Sequence, residues 1–378
     1  MSEYQYYEFQ AIDRPLDRAA QQELQSISSR AQITATRFTN HYEWGDLSGD
    51  PREFMERWFD LHLYVANWGT RRLMVRLPKR FLNVTDIDPF LREIDWVDTW
   101  DAGDNMIIDI HREAEPDDDW DDGSGWLATL APLRVDLLSG DLRLFYFVWL
   151  TTVQDELASD DEVEPLPGIG PLTGALQGFA EFLRVDPDLV QAAAEQGVAD
   201  AAMSGDELRG ALALVPEREK IELLLRVIEG DAHVAAELRN RVRNRQPSPA
   251  LHRKVGALRM RAQEIGDARE RASAERREAE QRRKAKEAER ERRARIEDIK
   301  RRGEGVWREI EDEIERRNPA GYDKATGLLS DLQALAAEDG SQGEFARRLT
   351  LIRVRHETKR KFIERLVKLG IGDDRRML

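Results

Sequence analysis

GDARERASAERREAEQRRKAKEAERERRARIEDIKRRGEG, residues 266–305, is the stretch on which the architecture turns. Its composition is helical, because Ala, Arg, Glu and Lys lose little side-chain freedom in a helix. Glu stands four residues before Arg or Lys at Glu278–Arg282, Glu280–Lys284, Glu289–Arg293 and Glu291–Arg295. That order supports a helix by about 0.2–0.5 kcal/mol per pair. Yet from Ala268 to Ala294 there is no Leu, Ile, Val or Phe, whereas a coiled coil needs apolar residues at two positions of every heptad.

The stretch therefore reads as a single solvated helix running from Leu251 to Arg317, between Pro249 and Pro319. Gly256 and Gly266 are candidate early breaks, and Gly303 and Gly305 a hinge near the far end. Unbroken, some 65 residues would span roughly 100 Å. Apolar residues gather only at its ends, Val255, Leu258 and Ile265 at one and Ile296 and Ile299 at the other. They make dimerisation through the long helix a second expectation.

Upstream, the pattern is that of an α+β domain over residues 1–126, with a mixed or antiparallel sheet and helices on one face. Residues 3–12 (EYQYYEFQAI) and the Thr-rich run 31–43 read as strands. Leu16, Ala20, Leu24 and Ile27 mark a helix between them. Asp50-Pro51 opens a helix whose stripe, Phe54, Trp58, Leu61, Val65 and Trp68, runs to Gly69. Residues 70–77 alternate Leu73, Val75 and Leu77 with Arg72, Met74 and Arg76, and 95–101 with 105–113 form a hairpin turning at AGDN. Eight of the nine Trp precede residue 150, so the best-packed core is expected there.

An all-α region packed on that domain is expected over 127–245. FYFVWL (145–150) is apolar nearly all round and should be buried. VEPLPGIGPLTG (163–174) reads as a connection, and Leu212, Val215, Ile221, Leu224, Leu225 and Ile228 as apolar stripes of short helices. Residues 246–250 (QPSPA) are the linker to the charged helix. Beyond it, 318–378 reads as a helical hairpin module. Its apolar faces, Leu328, Leu332 and Leu335 against Phe345, Leu349 and Ile352, form the candidate docking surface, and KRKFIERLVKLG (359–370) adds an amphipathic helix.

YYEFQAIDRPL (6–16), taken with NWGTRRLMVRLP (67–78), resembles a family of uncharacterised bacterial proteins. The run from YDKATGLLSDL (322–332) to KRKFIERL (359–366) resembles the C-terminal tail of that family and of some bacterial SWIM-type zinc-finger proteins. The resemblance implies no activity. The chain has no cysteine, so the metal and DNA binding of a SWIM finger do not carry over.

The absence of cysteine also excludes disulfides, thiolate zinc sites, iron–sulfur clusters and cysteine nucleophiles, and fits a reducing cytoplasm. MSEYQYYEFQ has no basic segment followed by an apolar run, so no signal peptide is expected, and no run of about 18 apolar residues spans a membrane. The net charge of −15 is uneven: residues 1–249 hold 24 Lys/Arg and 47 Asp/Glu, net −23, and residues 250–378 hold 34 and 26, net +8. A basic tail of this kind suits an anionic partner or a solvated helix.

Candidate chemistry is sparse. Gly168-Ile169-Gly170 lacks the Lys-Ser/Thr of a phosphate loop, and Gly123-Ser124-Gly125 is not a nucleophile elbow. Asp117, Asp119 and Asp121 alternate as calcium ligands do, but Asp122 stands where the loop needs Gly, and Ala128 where it needs Glu. Asp109, His111 and Glu113 share a strand face, and with His41 or His62 would make a two-His-one-carboxylate metal site. Arg71, Arg72, Arg76, Lys79 and Arg80 form the one basic cluster of an acidic domain, suited to phosphate contact or to local ion pairs. No cofactor is expected. The expected function is a non-enzymatic adaptor with protein partners. Weak nucleic-acid association is the alternative, and a metal-dependent enzyme the remote one.

Overall fold

The computed structural model describes residues 3–114, 121–197, 209–210, 212–231, 233–243, 251–368 and 370. Asp117, Asp119, Asp206 and the 246–250 linker lie outside the described residues. The chain divides into two compact units, 1–269 and 270–378.

The first unit is built on seven antiparallel strands: β1 (Gln5–Gln10), β2 (Gln32–Ile33), β3 (Arg37–Tyr42), β4 (Leu61–Ala66), β5 (Arg71–Pro78), β6 (Val97–Ala102) and β7 (Asn105–Arg112). Their spatial order is β2-β3-β1-β4-β5-β7-β6. The alternation read in 70–77 and 105–113 holds. Leu73, Val75 and Leu77 join Met106, Ile108 and Ile110 in one core, and β5 and β7 pair with Leu73 opposite Ile110.

Two expectations are corrected. The helix opened by Asp50 is short, α2 (Pro51–Arg57), with the Asp50 carboxylate accepting from the Arg52 amide. Leu61–Ala66, expected to continue that helix, is β4 instead, the central strand, paired to β1 on one side and β5 on the other. Leu61 and Val65, four apart, suit a helix face, but with Leu63 between them they also satisfy a strand's period of two. The two free strand edges on either side decide between them. The second correction is that helices cover both faces of the sheet. On one face α1 (Arg18–Ile27) and α2 place Leu24, Phe54, Met55 and Phe59 against Phe9, Phe38, Met74 and Ile107.

On the other face lie α3 (Val84–Ile87), α4 (Trp126–Leu130), α5 (Pro132–Leu138), α6 (Arg143–Gln154), α7 (Gly174–Phe182) and α8 (Pro187–Ala194). The FYFVWL segment of α6 is fully buried, as its all-round apolar character requires. Among the described residues before the long helix are also α9 (Glu217–Ile228) and α10 (Val234–Arg243).

The long helix, α11, runs unbroken from Val255 to Arg302, 48 residues. Gly256 and Gly266 do not break it. They mark where it crosses the first unit closely: a Cβ on Gly256 would lie 3.2 Å from Asp160, and one on Gly266 2.9 Å from Asp188 Oδ2. Val255, Leu258 and Ile265 are buried in the first unit's core.

The second unit is larger than a hairpin. Ile299 of α11 packs with α12 (Glu304–Glu315), α13 (Pro319–Asp339), α14 (Gln342–Arg355) and α15 (Arg360–Lys368) around Val306, Ile310, Leu329, Leu349 and Phe362. Gly303 separates α11 from α12 at φ +50°, a backbone conformation that favours glycine. Gly305 lies inside α12.

Candidate interaction surface

The basic cluster at 71–80 does not form a patch. Strand alternation sends Arg72 and Arg76 to one face of β5 and Arg71 to the other. Each cation then meets a carboxylate. Arg71 reaches Asp121 at 3.2 Å and the Phe182 carbonyl at 3.2 Å. Arg72 makes a two-pronged pair with Asp109 at 2.8 and 2.7 Å. Arg76 donates at 2.7 Å to Asp60, which is fully buried and also accepts from the Ile12 and Asp13 amides. Lys79 pairs with Asp101 and Arg80 with Asp231. Within the fold these residues are engaged in local ion pairs.

The strand-face carboxylate and histidines are likewise committed. Asp109 is taken by Arg72, and His41 points to the opposite sheet face from Asp109 by register. His62 is fully buried, its ring stacked on Phe9 with centroids 3.9 Å apart and Nδ1 3.1 Å from the Glu8 carbonyl oxygen. Its Nε2 has no hydrogen-bond partner. Burial, reinforced by the Arg72 guanidinium, holds its pKa well below the ordinary imidazole value, so the ring is neutral. His111 is exposed, and partial desolvation and the Arg72 guanidinium lower its pKa as well. Among the described residues no group of three His, Asp or Glu could hold a metal ion.

The expected C-terminal docking residues turn inward. Leu332, Phe345, Leu349 and Ile352 are buried in the second unit's core, with Leu328 and Leu335 packed against it. Among the described residues of that unit the exposed large apolar side chains are Leu351 and Val354, one turn apart on α14, and Val367 on α15. The apolar ends of the long helix are also used within the chain: Val255, Leu258, Ile265, Ile296 and Ile299 are all buried.

The stripe of α9 faces outward. Leu223 is buried at 5% exposure, and Arg226 beside it binds Asp231 and Glu237 at 2.7 Å each. These two define the inward side. Ile221 (53% exposed), Leu224 (63%), Leu225 (53%) and Ile228 (81%) lie on the opposite side, with Val227 (54%) at its margin. Spacing of three and four residues puts them on one face. The stripe was visible in the sequence, but its direction was not, since direction depends on what packs against the helix. Of the other two residues read as helix stripe, Val215 is buried and Leu212 is exposed.

No family model, no curated protein and no solved structure matches this chain. No helix among the described residues is long and apolar enough to cross a membrane.

Proposed function

We propose that the chain is a non-enzymatic adaptor that binds protein through the outward face of α9, and whose charged helix joins this surface to a second helical unit in one chain. The single observation carrying this reading is that four large aliphatic side chains on one helix face are more than half exposed. A contiguous apolar face of several hundred Å² on an otherwise charged surface marks an interaction site. Leu351 and Val354 supply the corresponding surface on the second unit, in place of the buried residues expected from sequence. Joining two surfaces in one chain raises the effective concentration of what they bind.

The test is affinity co-purification of the full-length chain beside Leu224→Asp/Leu225→Asp and Leu351→Asp/Val354→Asp variants. Loss of a specific protein from either variant, at unchanged helix content, supports the reading. Equal recovery from all three chains sinks it.

The nucleic-acid alternative now rests on α11 alone. Residues 269–302 hold 15 Lys/Arg against nine Asp/Glu, and Arg282, Arg283, Lys286, Arg290 and Arg293 share a face by spacing. Binding through them would fall steeply with salt, so retardation of a duplex at low and at moderate salt separates this reading from the first.

A further inference from the structure

The outward face of α9 reads the same in both chain directions. About the midpoint between Leu224 and Leu225, Ile221 mirrors Ile228 and Leu224 mirrors Leu225. A surface with this symmetry is complementary to itself when two copies lie antiparallel across a twofold axis. Each Ile then meets an Ile and each Leu a Leu. Resting on the docking reading above, we infer that the occupant of this face is the same face of a second copy of this chain.

The charges flanking the stripe fit the antiparallel arrangement. Arg218 and Glu229 are eleven residues apart, about three helical turns, so they lie on the same flank of α9. Both are exposed. Antiparallel packing about the 224/225 midpoint sets Arg218 of each copy two residues, roughly 3 Å of helix rise, from the level of Glu229 of the other, within reach of both long side chains, and makes the contact twice. Parallel packing about a twofold would carry this flank of the two copies to opposite sides of the seam and make no such contact.

The size is also appropriate. The five exposed aliphatic side chains present on the order of 500 Å² per chain. That matches the apolar share of a standard interface burying about 800 Å² per partner.

Other segments supply less. The long helix has no Leu, Ile, Val or Phe between Ala268 and Ala294 to form a seam, and its apolar ends are buried. Leu351 and Val354 are two residues without such a stripe, and the charges beside them, Arg353 and Arg355, are of one sign.

Sedimentation equilibrium of the full-length chain tests the inference. The wild type should be a reversible dimer. Leu224→Asp/Leu225→Asp should be monomeric with an unchanged far-ultraviolet circular dichroism spectrum, since neither side chain is buried. Arg218→Glu should weaken the dimer by about tenfold through two like-charge contacts. Adding Glu229→Arg should restore it.

The inference is overturned by a wild type that stays monomeric at its highest soluble concentration, or by a dimer that survives Leu224→Asp/Leu225→Asp. It is also overturned if Glu229→Arg fails to rescue Arg218→Glu. A monomeric wild type whose α9 variant loses a different protein in co-purification overturns this inference alone and leaves the docking reading standing.

Discussion

The middle of α11 and the outer face of α9 are both exposed helix surface, and for opposite reasons. From Ala268 to Ala294 the long helix has no large aliphatic side chain to bury. Water is its proper environment, and its stability comes from propensity and from pairs such as Arg293–Glu289 at 2.9 Å. Helix α9 has four large aliphatic side chains on one face and buries none of them, while the single Leu223 on the other side ties it down. One helix is exposed by composition and the other for want of a covering surface within the described chain. Only the second kind of exposure points to a partner.

The largest effect that would sharpen this contrast lies where the long helix meets its own unit. Glu164 is buried and accepts from Tyr146 Oη at 2.6 Å, the Arg253 amide at 2.8 Å and the Arg253 guanidinium at 3.0 Å. Replacing it with Ala strands the Arg253 charge at the base of the helix and should cost about 3–5 kcal/mol in chemical denaturation. A loss below about 1 kcal/mol would mean that the base is held by apolar contacts alone.

Next in size is the contrast within α9. Leu223→Ala should cost about 2–5 kcal/mol. Leu224→Asp, one residue along, should leave monomer stability within about 0.5 kcal/mol. Comparable losses at both would show that the face is covered within the chain, and would break the distinction between the two helices.

The smallest effect belongs to the middle of the long helix. Glu289→Gln removes one exposed pair and should change stability by at most about 0.5 kcal/mol, an effect that disappears in concentrated salt. A larger loss would give that segment a packing role that its composition denies it.

Much of the fold was legible. β1, β5 and the β6–β7 hairpin follow from alternation and turn chemistry, and the buried helix at 143–154 from an unbroken apolar run. β4 was not legible, because Leu61 and Val65 suit either period and the capping signal of Asp50-Pro51 favoured the wrong one. The candidate sites were less legible still. Residues 71–80 look like one basic cluster in a line of text, but a strand divides them between two faces and carboxylates distant in sequence neutralise them. Asp60, Asp109 and Asp231 stand 16, 37 and 151 residues from the arginines they bind. Leu328, Leu332, Leu335, Phe345, Leu349 and Ile352 were correctly seen as apolar faces, but those faces meet each other and the end of α11.

By itself, the sequence determined what local chemistry controls. It made residues 268–294 a helix with nothing to bury, it set the alternation of β5 and β7, and it wrote a mirror-symmetric apolar stripe into α9. The tertiary structure alone decided whether Leu61–Ala66 would be strand or helix, which arginine meets which aspartate, and whether the α9 stripe faces in or out. The physical reason is range. Propensity and periodicity act over a few residues, whereas burial and ion pairing depend on groups that the fold brings together from far along the chain.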